Sequence, residues 1–418
     1  MQRSLILLAG GFLQVALAAD LSLTTDHADG TYARGETVGW SITGGENGAS
    51  IRYQVLAEGA TAISQGQVTF ANGRATVRAS LDRPGTLLLR LTGVDKTSLL
   101  GGAAVAWREI DAVVPEPEDF SRFWQAKIAE LQAIPPAPRL EPLPSGDPKV
   151  SLWKITLANI KGTHVYGYLA RPVGNAPCPA LVQFQYAGVY ALNPGWVTGP
   201  AKRGWLALNI MAHDLPPDRT PAFYTAQSDG PLKDYARQGG SDRETSTFLR
   251  MYLGCVRAAT YLRDRPDWNR KTLLVHGTSQ GGLQAIVTAG LVPEVTMVTA
   301  LVPAGCDQRG PEQGRAMGFP YWLGQSTGPE RAARAHAAGM YDLIHFASRI
   351  RCPVLIGMGL IDTTCPASGV FTCFNRLRGP KRLVLMPQSG HKGPHEAYLP
   401  VAEAWQTAAL RQTPPPLE

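Results

Sequence analysis

Thr272-Leu273-Leu274-Val275-His276-Gly277-Thr278-Ser279-Gln280-Gly281-Gly282-Leu283-Gln284-Ala285-Ile286-Val287-Thr288-Ala289 carries the strongest structural signal in the chain. Its first five residues are apolar and β-branched and predict a short buried strand. Its last seven predict a helix. Between them stands Gly-x-Ser-x-Gly, which in a strand–turn–helix context makes a nucleophile elbow. The turn must be tight, and Gly277 and Gly281 lack the β-carbon that would keep strand and helix apart. Ser279 then occupies a strained corner with its hydroxyl exposed at the carboxyl edge of a sheet. The N–H of Gln280 points into the same space and is placed to stabilise an oxyanion. A chain with 44 glycines can produce such a pentapeptide by chance. The flanking elements, the extra glycine and the partners downstream argue for a nucleophile instead.

A serine nucleophile needs a base, and the base needs a carboxylate to orient it. Where the elbow lies on a doubly wound sheet, the chain order is Ser, then Asp or Glu, then His. A predicted strand at 354–357 runs into Asp362, and one at 382–385 runs into His391. Both residues then sit at the sheet edge that carries Ser279. His395 competes with His391 for the base. A second oxyanion donor is expected after the strand predicted at 180–184, from the N–H of Ala187 or Tyr186.

Outward from this centre, strands are predicted at 152–157, 164–170, 205–210 and 299–302, and helices at 118–131, 245–263, 373–377 and 402–410. Strands alternating with helices predict an α/β fold with a mostly parallel, doubly wound sheet. Upstream the pattern differs. Short Val-, Thr- and Leu-rich runs at 37–42, 51–56, 68–70, 75–78, 86–91 and 103–107 recur with turns between them. That spacing predicts an antiparallel β-sandwich. No catalytic cluster is seen in it, and packing against the second domain is its expected role. The expected division is a leader at 1–19, a sandwich at 20–112 and an α/β domain at 113–418, joined by Val113-Val114-Pro115-Glu116-Pro117.

The leader has Arg3, an apolar core at 5–13 and a small-x-small site at Ala16-Leu17-Ala18. It reads as a signal peptide, too short to span a membrane, and predicts a secreted or periplasmic protein. Export places six cysteines in an oxidising compartment, where at least one disulfide is expected, with Cys255–Cys306 the favoured pair. No metal-ligand spacing occurs. The formal charge of +7 is spread without basic runs, which argues against nucleic acid as a partner.

Several motifs together resemble one family. They are the 277–282 elbow with Gln280, Arg265-Pro266-Asp267-Trp268-Asn269, Asp119-Phe120-Ser121-Arg122-Phe123-Trp124, and Asp362-Thr363-Thr364-Cys365-Pro366 with a histidine 29 residues after that aspartate. Over roughly 115–412 the chain is similar to the acetyl xylan esterase/cephalosporin C deacetylase family of α/β-hydrolases. The resemblance implies a triad of Ser279, Asp362 and His391, and oxyanion amides at Gln280 and Tyr186 or Ala187. It implies hydrolysis of acetyl esters on carbohydrate without metal or organic cofactor. Three departures mark a divergent branch: Ala212-His213-Asp214 where the family has Arg-Gly-Gln, His391-Lys392 where it has His-Glu, and the added sandwich. His213 and the aromatics Phe319, Tyr321 and Trp322, in an excursion at 310–325, are the expected substrate contacts. A second excursion at 216–241 carries Phe223, Tyr224 and Tyr235. Two other functions fit parts of the pattern. A serine peptidase of the prolyl oligopeptidase type shares the elbow but needs a far larger partner domain. A non-catalytic carbohydrate-binding protein would not need the triad.

Overall fold

The computed structural model describes residues 21–92 and 98–417. The expected signal peptide at 1–19 lies outside the described residues. Eight strands open the chain: β1 (Ser22–Thr25), β2 (Thr31–Tyr32), β3 (Thr37–Thr43), β4 (Ser50–Ala57), β5 (Thr61–Thr69), β6 (Arg74–Ser80), β7 (Gly85–Thr92) and β8 (Ser98–Val105). They form a three-stranded sheet, β1-β3-β6, and a five-stranded one, β2-β8-β7-β4-β5. Pairing is antiparallel apart from the two-residue β2, which runs parallel to β8. Alternation drives the packing. Val38, Trp40 and Ile42 of β3 meet Leu87, Leu89 and Leu91 of β7 in a closed core.

Nine further strands make a third sheet: β9 (Arg139–Leu143), β10 (Val150–Ala158), β11 (His164–Pro172), β12 (Cys178–Phe184), β13 (Leu206–Ile210), β14 (Trp268–Thr278), β15 (Met297–Leu301), β16 (Val354–Gly359) and β17 (Lys381–Met386). Their order is β17-β16-β15-β14-β12-β13-β11-β10-β9. From β13 to β17 all neighbours are parallel, while β9, β10 and β11 add an antiparallel flank. Nine helices accompany them among the described residues: α1 (Phe120–Gln132), α2 (Gly195–Lys202), α3 (Pro221–Asp229), α4 (Thr247–Asp264), α5 (Gln280–Leu291), α6 (Gly328–Tyr341), α7 (Leu343–Ala347), α8 (Ala367–Arg376) and α9 (Leu399–Arg411). One face of the sheet buries α4, α5, α7 and α8. The other buries α2 and α9, with Trp205 and Trp405 at its centre. Covered on both sides, β13, β15 and β16 are buried at every residue, which is why they read as unbroken apolar runs.

The structure corrects several expectations. Strand β9 lies in the proline-rich stretch after α1, where no strand was expected, and Pro142 fits there because β9 is an edge. Helices α2 and α3 were missed because Gly195, Pro200 and Pro221 interrupt the apolar period. The expected disulfide is absent, and all six cysteines are free thiols. The Cys255 thiol donates to Gln284 Oε1 at 3.4 Å, while that of Cys306 faces the Pro303 carbonyl. Those two sulfurs are held by different partners, so the Cys255–Cys306 pairing does not form.

Candidate active site

Strand β14 delivers the chain to Ser279 and α5 carries it away, with Ser279 itself at φ 57° and ψ −120°. A left-handed serine is strained, and the surrounding packing enforces it. A β-carbon on Gly277 would lie 2.2 Å from the carbonyl of Gly281, and one on Gly281 would lie 2.6 Å from Phe184 O. Only glycine fits either position, so helix and strands close tightly around the corner. The Ser279 N–H donates to Leu301 O at 2.8 Å, tying the elbow to β15.

The acid and the base arrive on neighbouring loops. Asp362 follows β16 and His391 follows β17, and those strands pair in parallel. A β-carbon on Gly359 would lie 1.9 Å from Ser389 O, so the two loops touch backbone to backbone. His391 Nε2 lies 2.9 Å from Ser279 Oγ, and His391 Nδ1 lies 2.8 Å from Asp362 Oδ2. The other Asp362 oxygen accepts the N–H groups of Thr364 and Cys365, each at 2.8 Å. Those two bonds aim the buried carboxylate at the imidazole, with Nδ1–H donating to it and Nε2 free to accept from the serine. His395 does not enter this relay. Its carbonyl accepts from the N–H groups of Tyr398 and Leu399 at the start of α9.

Beside the elbow, β12 ends in the loop that carries Tyr186, Ala187 and Gly188. Tyr235 pins this loop in place. Its hydroxyl accepts the Gly188 N–H at 3.1 Å and donates to Gln280 Oε1 at 2.7 Å. Gly188 is thereby taken out of contention as an oxyanion donor, leaving the N–H groups of Tyr186, Ala187 and Gln280. Gln284 closes the set from α5, donating to Gln185 O at 2.8 Å and to Gln280 O at 3.2 Å. Tyr235 belongs to the 216–241 excursion expected to line the pocket. It lies underneath the oxyanion site, with 8% exposure.

Two expected substrate contacts are corrected. His213 has 0% exposure, bonds Gly188 O at 3.0 Å and meets the Tyr235 ring edge-on at 4.5 Å. Burial and the positive field of Arg250 push its pKa down to about 4, so it is a neutral prop behind the loop. Trp322, with 2% exposure, packs against Phe248 and Tyr341 in the core. Phe319 and Tyr321 do reach the rim. Phe319 donates its N–H to Thr364 O at 2.8 Å, beside Asp362, and Tyr321 is 36% exposed. Tyr186, 46% exposed, stands on the oxyanion loop with Tyr190 and Trp196 packed beside it. The motifs Arg265-to-Asn269 and Asp119-to-Trp124 are structural. Asp267 takes two bonds from Arg265 and one from Arg171, Asp119 pairs with Arg243, and Trp124 Nε1 donates to Met340 O.

Comparison with known proteins gives the family and the fold. Residues 107–402 match the family model for acetyl xylan esterase (AXE1). Over 378 residues the chain is 30% identical to the acetyl esterase Axe7A of Xylanibacter ruminicola, covering 88% of this chain and 85% of that one. Its fold is similar to that of acetyl xylan esterase 1 from Thermoanaerobacterium sp. JW/SL YS485, with a TM-score of 0.63 at 20% identity over 73% of this chain and 97% of that one. It is also similar to the acetyl xylan esterase from Paenibacillus sp. R4, with a TM-score of 0.61 at 24% identity over 74% and 98%. An elbow serine on a doubly wound sheet, with these relatives, makes the chain an α/β-hydrolase and a carboxylic ester hydrolase that belongs to the acetyl xylan esterase (AXE1) family.

Proposed function

We propose that the protein is an exported serine esterase that removes acetyl groups from acetylated carbohydrate, xylan-type polymers included, through an acyl-enzyme on Ser279. The relay from Ser279 Oγ through His391 to Asp362, with links of 2.9 and 2.8 Å, carries the reading. Ser279 Oγ attacks the acetyl carbonyl carbon while His391 Nε2 takes the hydroxyl proton. Negative charge builds on the carbonyl oxygen, opposite the N–H groups of Gln280 and of Ala187 or Tyr186. The intermediate collapses, the ester C–O bond breaks, and His391 returns the proton to the departing sugar oxygen. A water then gives its proton to His391 and attacks the acyl carbon. Acetate leaves and Ser279 regains its proton. Asp362 holds the imidazole tautomer throughout and offsets the positive charge formed on it. Exposed Tyr186 and Tyr321 suit the apolar face of a sugar ring.

Ser279→Ala should lower turnover of p-nitrophenyl acetate by a factor on the order of 10⁶. Activity within tenfold of the parent would move the nucleophile elsewhere. Acetate should be released from acetylated xylan, acetylated glucomannan or small acetylated sugars, and a dipeptide amide should be left intact. The opposite preference would replace the esterase reading by a peptidase. Export predicts that protein recovered from the periplasm or medium has lost residues 1–19, and an intact mass that retains them would overturn it.

A further inference from the structure

The chemistry above calls on no residue of the N-terminal sandwich, yet the sandwich touches the catalytic loops directly. Strands β7 and β8 are buried on both faces. Leu87, Leu89, Leu91, Ala103 and Val105 point into the sandwich core, whereas Ala104 belongs to the core of the second domain. Two adjacent glycines on β8 show the same alternation. A β-carbon on Gly101 would lie 2.8 Å from Leu23 and Trp40 side-chain atoms, inside the sandwich. One on Gly102 would lie 2.5 Å from both Cβ and the carbonyl oxygen of Leu360. Gly30 backs the same residue, where a β-carbon would lie 2.7 Å from Leu360 Cδ1 and 3.4 Å from Pro387 Cβ.

Leu360 immediately precedes Ile361 and Asp362, and Pro387 begins the loop to His391. Across the two loops the Leu360 N–H donates to Met386 O and the Ile361 N–H to Ser389 O, each at 3.3 Å. Acid and base loops therefore move as one body, and the sandwich backbone is the surface beneath it. A second contact reaches the aromatic rim. The Ala316 N–H donates to Glu58 O at 2.9 Å, and Gly314 abuts Thr61. The 310–318 segment held there leads straight into Phe319, whose own N–H bonds the loop after Asp362.

We propose that the sandwich is part of the active-site scaffold, with Gly102 and Gly30 as positioning residues that let it bed against Leu360 and so set Asp362 in reach of His391. The proposal rests on the triad reading above. Failure of that reading shows separately, as activity surviving in Ser279→Ala.

The test compares neighbouring substitutions in the full chain, reading kcat and KM for p-nitrophenyl acetate together with Tm. Gly102→Ala must push Leu360, backbone included, and kcat should fall at least tenfold with KM within twofold. Gly101→Ala crowds Leu23 and Trp40, inside the sandwich. It should lower Tm and leave kcat within twofold at a temperature where the protein is folded. A folded Gly102→Ala with kcat within twofold of the parent would overturn the proposal. So would equal losses of kcat in the two variants, which would make sandwich stability the common cause. If Gly102→Ala does not fold, Leu360→Ala decides, since it opens the contact without adding bulk. A kcat reduced threefold or more at unchanged KM supports the scaffold role, and an unchanged kcat refutes it.

Discussion

Tyr235→Phe removes one oxygen from underneath the oxyanion site and little else. The ring keeps its edge contact with His213, at 4.5 Å and 80°. Two hydrogen bonds disappear, one from the Gly188 N–H at 3.1 Å and one to Gln280 Oε1 at 2.7 Å. The Gly188 bond is partly buried and the Gln280 bond fully buried, and leaving the buried Gln280 oxygen unpaired costs about 1 to 3 kcal/mol. Gln280 Nε2 is itself buried without a partner among the described residues, so its side chain amide keeps no hydrogen bond to them after the change. The loop bearing Tyr186 and Ala187 also loses its link through Tyr235 to Gln280, and keeps only the bond from Gln284 to Gln185 O. Deleting an oxyanion donor outright costs about 10² to 10³ in turnover. Here the donors remain but lose their alignment, which places the expected loss lower, at roughly 10- to 100-fold, or about 1.4 to 2.8 kcal/mol. The ground-state ester places little charge on its carbonyl oxygen, so KM should stay within about twofold. Steady-state hydrolysis of p-nitrophenyl acetate separates the two constants. A folded variant whose kcat is within twofold of the parent would refute the clamp. A raised KM at unchanged kcat would turn Tyr235 into a contact for bound substrate.

Acetyl esters should be hydrolysed faster than butyryl or octanoyl esters of the same p-nitrophenol, because forcing a longer chain against the Phe319 and Tyr321 rim costs about 1 to 3 kcal/mol, and octanoate matching acetate would refute a small acyl pocket. His391→Ala should lose activity as Ser279→Ala does, while His395→Ala, in the turn ahead of α9, should stay within tenfold of the parent; the reverse would move the base. Stability should fall as pH drops from about 6.5 towards 4. Burial pushes the pKa values of His213 and His345 down to about 4, so the unfolded chain takes up protons first. The stabilisation is complete above the unfolded value, is lost through that window and levels off below it, at about 3 kcal/mol per histidine. His213→Asn should flatten the slope of Tm against pH, and an unchanged slope would count against the buried, neutral state.

The eight strands from β10 to β17 were legible because burial on both faces imposes apolar runs on β13, β15 and β16, and burial on one face imposes alternation on β10. The relay was legible for a related reason. A residue just past a strand must lie at one sheet edge, so Ser279, Asp362 and His391 could be placed without knowing any distance. Direction of burial was not legible. Trp322 and Tyr321 are adjacent aromatics, and only the course of the loop sends one into the core and the other to the rim. His213 carried the chemistry of a ligand contact, yet its position after β13 seats it behind the oxyanion loop. Gly30 and Gly102 carried no signal, because what a missing side chain makes room for belongs to residues hundreds of positions away. The Cys255–Cys306 pairing failed for the same reason: order along the chain does not tell which way a thiol faces.

The bed beneath Leu360 also bears on the order in which the protein is made. Strand β8 leaves the ribosome 258 residues ahead of its partner (102 to 360). At roughly 5 to 20 residues per second, that is an interval of about 13 to 50 s. The sandwich can close its own core of Trp40, Val55 and Leu89 within that time. Its outer face at Gly102 waits for Leu360, which follows β16. A nascent chain that paused before residue 360 would display an apolar face, a place for a chaperone to hold. The loops that follow β16 and β17 are then the ones that meet that face and that bring Asp362 and His391 to Ser279.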